Sequence, residues 1–226
     1  AIIEVDQRFE ESAPILKIVH LPSGEIETIA NLLPRGIDCD ALGTEQRTQA
    51  DQVWAAVGVW NELAWSSDGS LLAFDAAIDG PSADVYVYDT TTGIITRLTD
   101  GPSQSVDLAW SPDDRYILHS GVQSLYYGYS GAGYEMQTVW AVTPSGYDEA
   151  IRVFDHPFYG RERRIAWLGN SLYLGDSWEM NCGYFDLRTI DVFSGQGPVL
   201  VAGHYDWRAF DTAGHKLLFM VSSTLA

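Results

Sequence analysis

A three-residue pattern recurs along the chain: Leu63-Ala64-Trp65, Leu108-Ala109-Trp110, Ile165-Ala166-Trp167 and Arg208-Ala209-Phe210. Each sets an apolar or long residue, then alanine, then a large aromatic. The aromatics lie about 45, 57 and 43 residues apart, and self-similarity at such a period marks an architecture built of repeated units. Each triplet runs into turn residues: Ser66-Ser67-Asp68-Gly69, Ser111-Pro112-Asp113-Asp114, Leu168-Gly169-Asn170 and Asp211-Thr212-Ala213-Gly214. Gly, Asn and Asp tolerate the positive φ of a tight hairpin. A second apolar run follows each turn, at Leu71–Phe74, Tyr116–Leu118, Leu172–Leu174 and Leu217–Met220. These runs are too short for helices and rich in strand formers, so they predict hairpins.

A second pattern repeats in step with the first. Val85–Tyr88, Thr138–Val142, Thr189–Phe193 and Leu16–Leu21 each precede a Gly-containing turn and another apolar run, such as Ile94–Leu98. Each unit therefore holds four short strands joined by hairpins, and about 40–45 residues with four strands is the arithmetic of a propeller blade. The small residue of the triplet suits the crowded inner strand. The aromatic points to the opposite side of that strand. Trp65, Trp110, Trp167 and Phe210 are expected to fill the space between blades.

Leu-Ala-Trp-Ser-Pro-Asp-Asp at 108–114 and Leu-Ala-Trp-Ser-Ser-Asp-Gly at 63–69 resemble the core of the TolB-type, WD40-like (PD40) β-propeller repeat. Asp84-Val85-Tyr86-Val87-Tyr88-Asp89, Gly93 and Arg97-Leu98-Thr99 resemble its companion half. The resemblance covers residues 59–155 clearly and weakens over 160–222, where Leu168-Gly169-Asn170 replaces the Ser-Pro-Asp-Gly turn. It implies an all-β propeller of four-stranded antiparallel blades and a scaffold role, and it transfers no catalytic residue.

Four repeats are read within a single propeller domain or segment over 1–226: a partial blade at 1–31, a long loop at 32–58, blades at 59–101, 105–155 and 160–203, and a partial blade at 205–222. In one arrangement the last strand pair completes the first blade. In the other, favoured, arrangement Ala1–Val5 is the second strand of the first blade and the chain is an incomplete segment of a larger propeller. In an up-and-down blade, strand connections alternate between two ends. The roomy ones, at 31–58, 75–84, 119–136, 155–163 and 175–187, all fall on the same end. Function concentrates in long loops on a rigid scaffold.

That end carries the candidate binding residues Tyr126, Tyr127, Tyr129, Tyr134, His156, Tyr159, Arg161, Trp178, Glu179, His204 and Asp206. Tyrosine and tryptophan combine a large apolar face with a polar tip, as recognition surfaces require, but the same residues can pack the loops on one another as a lid. Cys39 and Cys182 fall there too, and would form a disulfide in an oxidising compartment or stand as two thiols.

Composition narrows the classes. The chain has 226 residues, 46% hydrophobic and 12% aromatic, too apolar for a disordered acidic tail. Its 13 basic against 31 acidic residues give a net charge of −18, which argues against nucleic acid as a partner. No apolar run approaches the length of a membrane span. Gly128-Tyr129-Ser130-Gly131-Ala132 looks like a serine nucleophile turn but has no helix pattern after it. Asp38-Cys39-Asp40 to Glu45 lacks the ligand spacing of a calcium loop. No metal or other cofactor is expected, and catalytic residues are none. The reading is a non-enzymatic scaffold mediating protein–protein interaction through its loop-rich face, in an extracytoplasmic (periplasmic, secreted or cell-surface) setting. The alternatives are the propeller portion of a larger hydrolase such as a prolyl-oligopeptidase-type peptidase, whose blades the TolB-type repeat resembles, and a glycan-binding propeller.

Overall fold

The computed structural model of the chain describes residues 2–4, 14–33, 52–57, 62–128, 131–155, 163–177, 185–194, 196, 199–205, 210–213 and 216–219. Its strands form five sheets in which sequence neighbours pair antiparallel. Sheet 1 holds β1 (Ile2–Glu4), β2 (Ile15–Val19) and β3 (Ile26–Asn31). Sheet 2 holds β4 (Leu63–Trp65), β5 (Leu71–Ala76), β6 (Asp84–Asp89) and β7 (Ile94–Arg97). Sheet 3 holds β8 (Gln104–Trp110), β9 (Ile117–Gly128), β10 (Gly131–Thr143) and β11 (Gly146–Asp155). Sheet 4 holds β12 (Arg163–Leu168), β13 (Ser171–Ser177), β14 (Phe185–Asp191) and β15 (Val199–Tyr205). The hairpin β16 (Phe210–Ala213) and β17 (Lys216–Phe219) forms a two-stranded sheet. β1 lies beside β2, with Ile2 opposite Lys17 and Glu4 opposite Ile15.

Sheet 2 explains the sequence pattern. Alternate residues of a strand point to opposite faces. On β5 and β6, Leu72, Phe74, Tyr86 and Tyr88 join one buried cluster, together with Leu16 and Ile18 of sheet 1. Ala73, Val85 and Val87 join another, with Leu108, Ile117 and Val142 of sheet 3. Both faces of these strands are covered, so neither shows the polar–apolar alternation of a sheet with one wet side. Phe74 and Tyr86 stack across the strand pair with ring centroids 5.8 Å apart. The outer strand β7 is wetter, and Ile94 is 59% exposed. Burial peaks at the middle strands β5 and β6 and falls off at both edges, β4 and β7.

The turns after the triplets share one hydrogen-bonding device. Ser66 Oγ donates to Asp68 Oδ1 (2.8 Å) and accepts from Leu71 N–H (3.0 Å). Ser111 Oγ donates to Asp113 Oδ1 (2.7 Å) and accepts from Tyr116 N–H (3.0 Å). Hydrogen bonds from Ser70 hold the Asp68 carboxyl below the usual range, and one from Ser111 does the same for Asp113. Gly69 and Asp114 occupy the left-handed position of the two turns, at φ 72° and 56°. The Trp-Ser-x-Asp half of the repeat is therefore a turn lock.

Three expectations are corrected. Residues 119–136 were expected as a roomy loop, but β9 and β10 stay paired, with register shifts between Glu135 and Thr138, out to Tyr126 opposite Gly133, Tyr127 opposite Ala132 and Gly128 opposite Gly131. Tyrosine is a strong strand former, and continued pairing satisfies backbone groups that a loop would leave to water. The span 32–58 contains a short helix at 52–57, and its Val53, Ala55, Ala56 and Val57 belong to the core. The triplet aromatics are not uniformly buried: Trp167 is 8% exposed but Trp65 is 37% exposed. Sheet 1 holds three described strands, one fewer than sheet 2, whose β4 presents Ala64 to Trp110. Phe210 lies on β16, and its side chain is outside the described residues.

Candidate functional site

The half-repeat running from Asp84 to Thr99 builds a polar knot at the end of sheet 2 where β6 begins and β7 ends. Asp84 is 1% exposed. Its Oδ2 accepts from Arg97 Nη2 (2.6 Å) and Ser82 Oγ (3.0 Å), and its Oδ1 from Thr99 Oγ1 (2.8 Å). Thr99 Oγ1 accepts in turn from Val85 N–H (3.0 Å). Burial raises the Asp84 pKa, and the bonds from Arg97 and Thr99 oppose that rise. The reciprocal effect on Arg97 is a raised pKa: burial works against its charge and Asp84 outweighs it. A buried charge is tolerable when it is paired and fully hydrogen-bonded in this way.

Arg97 extends the knot outward. Nη2 also donates to Asp100 Oδ1 (2.8 Å), and Nη1 lies 3.5 Å from Asp79 Oδ1. The same Asp79 oxygen accepts from the Tyr86 hydroxyl. Burial, with Asp79 next, pushes the Tyr86 pKa up, so the phenol keeps its proton and remains a donor. A Cβ at Gly80 would stand 2.8 Å from Arg97 Nη2, so a larger residue there would push the guanidinium out of this arrangement.

Of these groups, Asp79, Tyr86 and Arg97 line a cleft of about 460 Å³ between sheets 1 and 2. Its walls are Ala30, Asn31 and Leu33 from sheet 1 and its exit, Ile78 and Asp79 from the β5–β6 connection, Tyr86 from β6, and Ile95 and Arg97 from β7. The walls are fixed by backbone bonds. Ala77 N–H donates to Leu32 O (2.7 Å), tying the β5–β6 connection to the segment after β3. Ala83 N–H donates to Gln104 Oε1 (2.7 Å), and Ser105 N–H to Ala83 O (2.8 Å), tying the same connection to β8. Its charged wall residues are Asp79 and Arg97, 3.5 Å apart, so the walls present one carboxylate and one guanidinium.

The structure does not assemble the expected binding residues into this cleft. Tyr126 and Tyr127 lie on β9, Tyr134 on β10 and His204 on β15, with side chains outside the described residues. Tyr129, His156, Tyr159, Arg161, Trp178, Glu179 and Asp206 lie outside the described residues, as do Cys39 and Cys182. Sequence reasoning passed over Asp79, Tyr86 and Arg97 as site residues. The signal was present in Asp84 and in Arg97-Leu98-Thr99, which were read as a repeat signature rather than as an ion-pair knot.

No family model matches the chain. A 54-residue stretch is 41% identical to the uncharacterized peptidase YuxL of Bacillus subtilis (strain 168), covering 24% of this chain and 8% of that protein. In three dimensions the chain is similar to Pyrococcus horikoshii acylaminoacyl peptidase, with a TM-score of 0.60 at 14% identity over 98% of this chain and 33% of that one. It is also similar to the β-propeller domain of the Trilobed protease from Pyrococcus furiosus, with a TM-score of 0.52 at 14% identity over 92% of this chain and 53% of that one. The chain thus spans about a third to a half of the two solved chains. The four-stranded antiparallel sheets and these likenesses together give the fold: a β-propeller.

Proposed function

We propose that this chain is a non-enzymatic β-propeller scaffold that engages another protein through the end carrying the strand connections, in an extracytoplasmic setting. The observation that supports this most is the burial of both faces of β5 and β6. A sheet covered on both sides has no face left for a partner, so contact falls to connections and strand ends. The tyrosines of the β9–β10 hairpin, together with Trp178, are the residues assigned to that contact. The test is affinity capture with the intact chain against the double variant Tyr126→Ala/Tyr127→Ala and against Trp178→Ala. A specific protein retained by the parent and lost from the variants supports the reading; equal retention by all three refutes the site.

A second reading is favoured by the 41% identity over 54 residues to a protein named as a peptidase. Here the chain is the propeller portion of a larger peptidase, and the partner of its open end is that protein's catalytic portion. Mass measurement of the native polypeptide separates the two. A species much heavier than 25.0 kDa that hydrolyses aminoacyl nitroanilides supports the peptidase reading. A native species of 25.0 kDa without hydrolysis refutes it.

A further inference from the structure

β9 and β10 outrun the strands that flank them. β8 pairs with β9 only as far as Gln104 opposite Val122, and β11 pairs with β10 only as far as Asp155 opposite Thr138. Beyond both limits β9 and β10 pair with each other alone, from Ser124 opposite Glu135 to Gly128 opposite Gly131. At about 3.3 Å per residue this ribbon runs about 15 Å past the four-stranded part of sheet 3. Two bulges set it off: Gln123 and Gln137 stand without register partners on either side of the Val122–Met136 pair. An extra residue in a strand bends it and increases its twist, so the ribbon leaves the plane of the sheet. Among the described residues no strand lies beside either edge of the ribbon.

A strand edge carries a row of outward backbone N–H and C=O groups, which only water or another extended segment can satisfy. Folded chains blunt such edges with lysine, proline or clustered charge. Between Gln123 and Met136 there is no Lys, Arg or Pro, and Glu135 is the one charged residue. The two edges are not equivalent. β9 offers Leu125, Tyr126 and Tyr127 in succession, and tyrosine is a strong strand former. β10 offers Gly131, Ala132 and Gly133, which give an added strand at most a methyl group to pair with. The chain's own ladder also stops on the β9 side: β8 begins at Gln104, two residues after Pro102, which has no N–H to donate. We infer that the β9 edge over residues 124–128 binds an extended segment of a partner protein as an added strand, beyond the start of β8. Aromatic and β-branched residues pair well across strands, so the segment is uncharged at its centre and rich in Val, Ile and Thr. The inference rests on the reading that this hairpin is the contact, and specifies that the contact is made through backbone hydrogen bonds.

The experiment follows hydrogen exchange by mass spectrometry on the full chain, with and without the peptide acetyl-Lys-Thr-Val-Thr-Ile-Thr-Val-Lys-amide. The control peptide carries N-methyl groups on every residue between the lysines, which keeps the side chains and removes the backbone donors. Saturable slowing of exchange over 123–128 with the first peptide is expected, with no change over 131–136 and no effect of the control. Ser124→Pro and Leu125→Pro remove the N–H at successive positions, one facing the free edge and the other facing β10. Exchange over 131–136 without peptide shows which variant retains the hairpin, and that variant should bind the peptide at least about fivefold more weakly. Where neither retains it, the two peptides alone decide. Equal slowing by the control, no slowing with either peptide, or unchanged binding by the variant that retains the hairpin would overturn the proposal. So would a parent chain that sediments as a dimer with 123–128 already protected, since a second copy would then hold the edge. If the proposal fails while Tyr126→Ala/Tyr127→Ala still loses its captured protein, the hairpin remains the contact and only the added strand is refuted.

Discussion

Trp110 Nε1 donates a hydrogen bond to the carbonyl oxygen of Ala64 at 2.8 Å, across 46 residues of sequence. The two residues hold the aromatic and the small place of successive triplets, so one unit's large residue seats on the neighbouring unit's small one. Beside this contact, Ser67 N–H donates to both carboxylate oxygens of Asp114 (3.0 Å each), and the Ser67 hydroxyl adds a third bond. Sheets 2 and 3 are stitched by the repeat's own signature residues.

Trp110→Phe keeps a six-membered aromatic ring and removes the pyrrole ring with its N–H donor. It should destabilise the chain by about 1 kcal/mol, with more if the Ala64 carbonyl is left without water. Trp65→Phe trims an indole that is 37% exposed and makes no counterpart bond among the described residues, and should change stability by less than about 0.5 kcal/mol. Urea unfolding of both variants against the parent checks the difference, and equal losses would contradict it.

Asp114 does two things at once: it takes a left-handed φ of 56° and it binds Ser67. Asp114→Gly relieves the backbone and loses the inter-sheet bonds. Asp114→Ala loses the bonds and keeps the strain, so it should be the less stable of the two by about 1 kcal/mol. Thermal unfolding of the pair gives the ordering directly.

His119 is 5% exposed on β9, its Nδ1 is buried without a hydrogen bond among the described residues, and burial pulls its pKa down from 6.5 to about 4. The neutral ring is the folded form. Its contribution is therefore complete above pH 6.5 and is lost as pH falls towards 4, where the unfolded chain gains a proton that the folded one refuses. The shift corresponds to about 3 kcal/mol. The stability difference between the parent chain and His119→Leu should move against the parent by about that amount between pH 7 and pH 4, as read from urea titrations at each pH.

Asp75 shows the opposite dependence. It is fully buried on β5, and burial, with Glu62 and Asp107 next, raises its pKa well above the usual carboxylate value. A raised acid pKa means that stability is complete below the unfolded value and declines as pH rises towards the folded one. Asp75→Asn mimics the protonated form. It should gain on the parent as pH rises from 5 to 8, and a pH-independent difference between the two would contradict this assignment.

Much of the fold was legible because its determinants are local. Strand runs such as Val85–Tyr88 and turn residues such as Gly69 and Gly93 act within a few positions of themselves, and the repeat multiplied each signal. The Trp-Ser-x-Asp turn and the Asp84, Arg97 and Thr99 signature were visible as words, and the coordinates supplied their bonds. What the tertiary structure alone decided is which surfaces meet. The same triplet buries Trp167 and leaves Trp65 half exposed, because a side chain's burial depends on the sheet standing next to it. The cleft was invisible for the same reason: Asn31 and Leu33 come from one sheet and Asp79, Tyr86 and Arg97 from the next, so no window of sequence contains it. Local chemistry sets strands and turns, while the stacking of sheets sets the space between them.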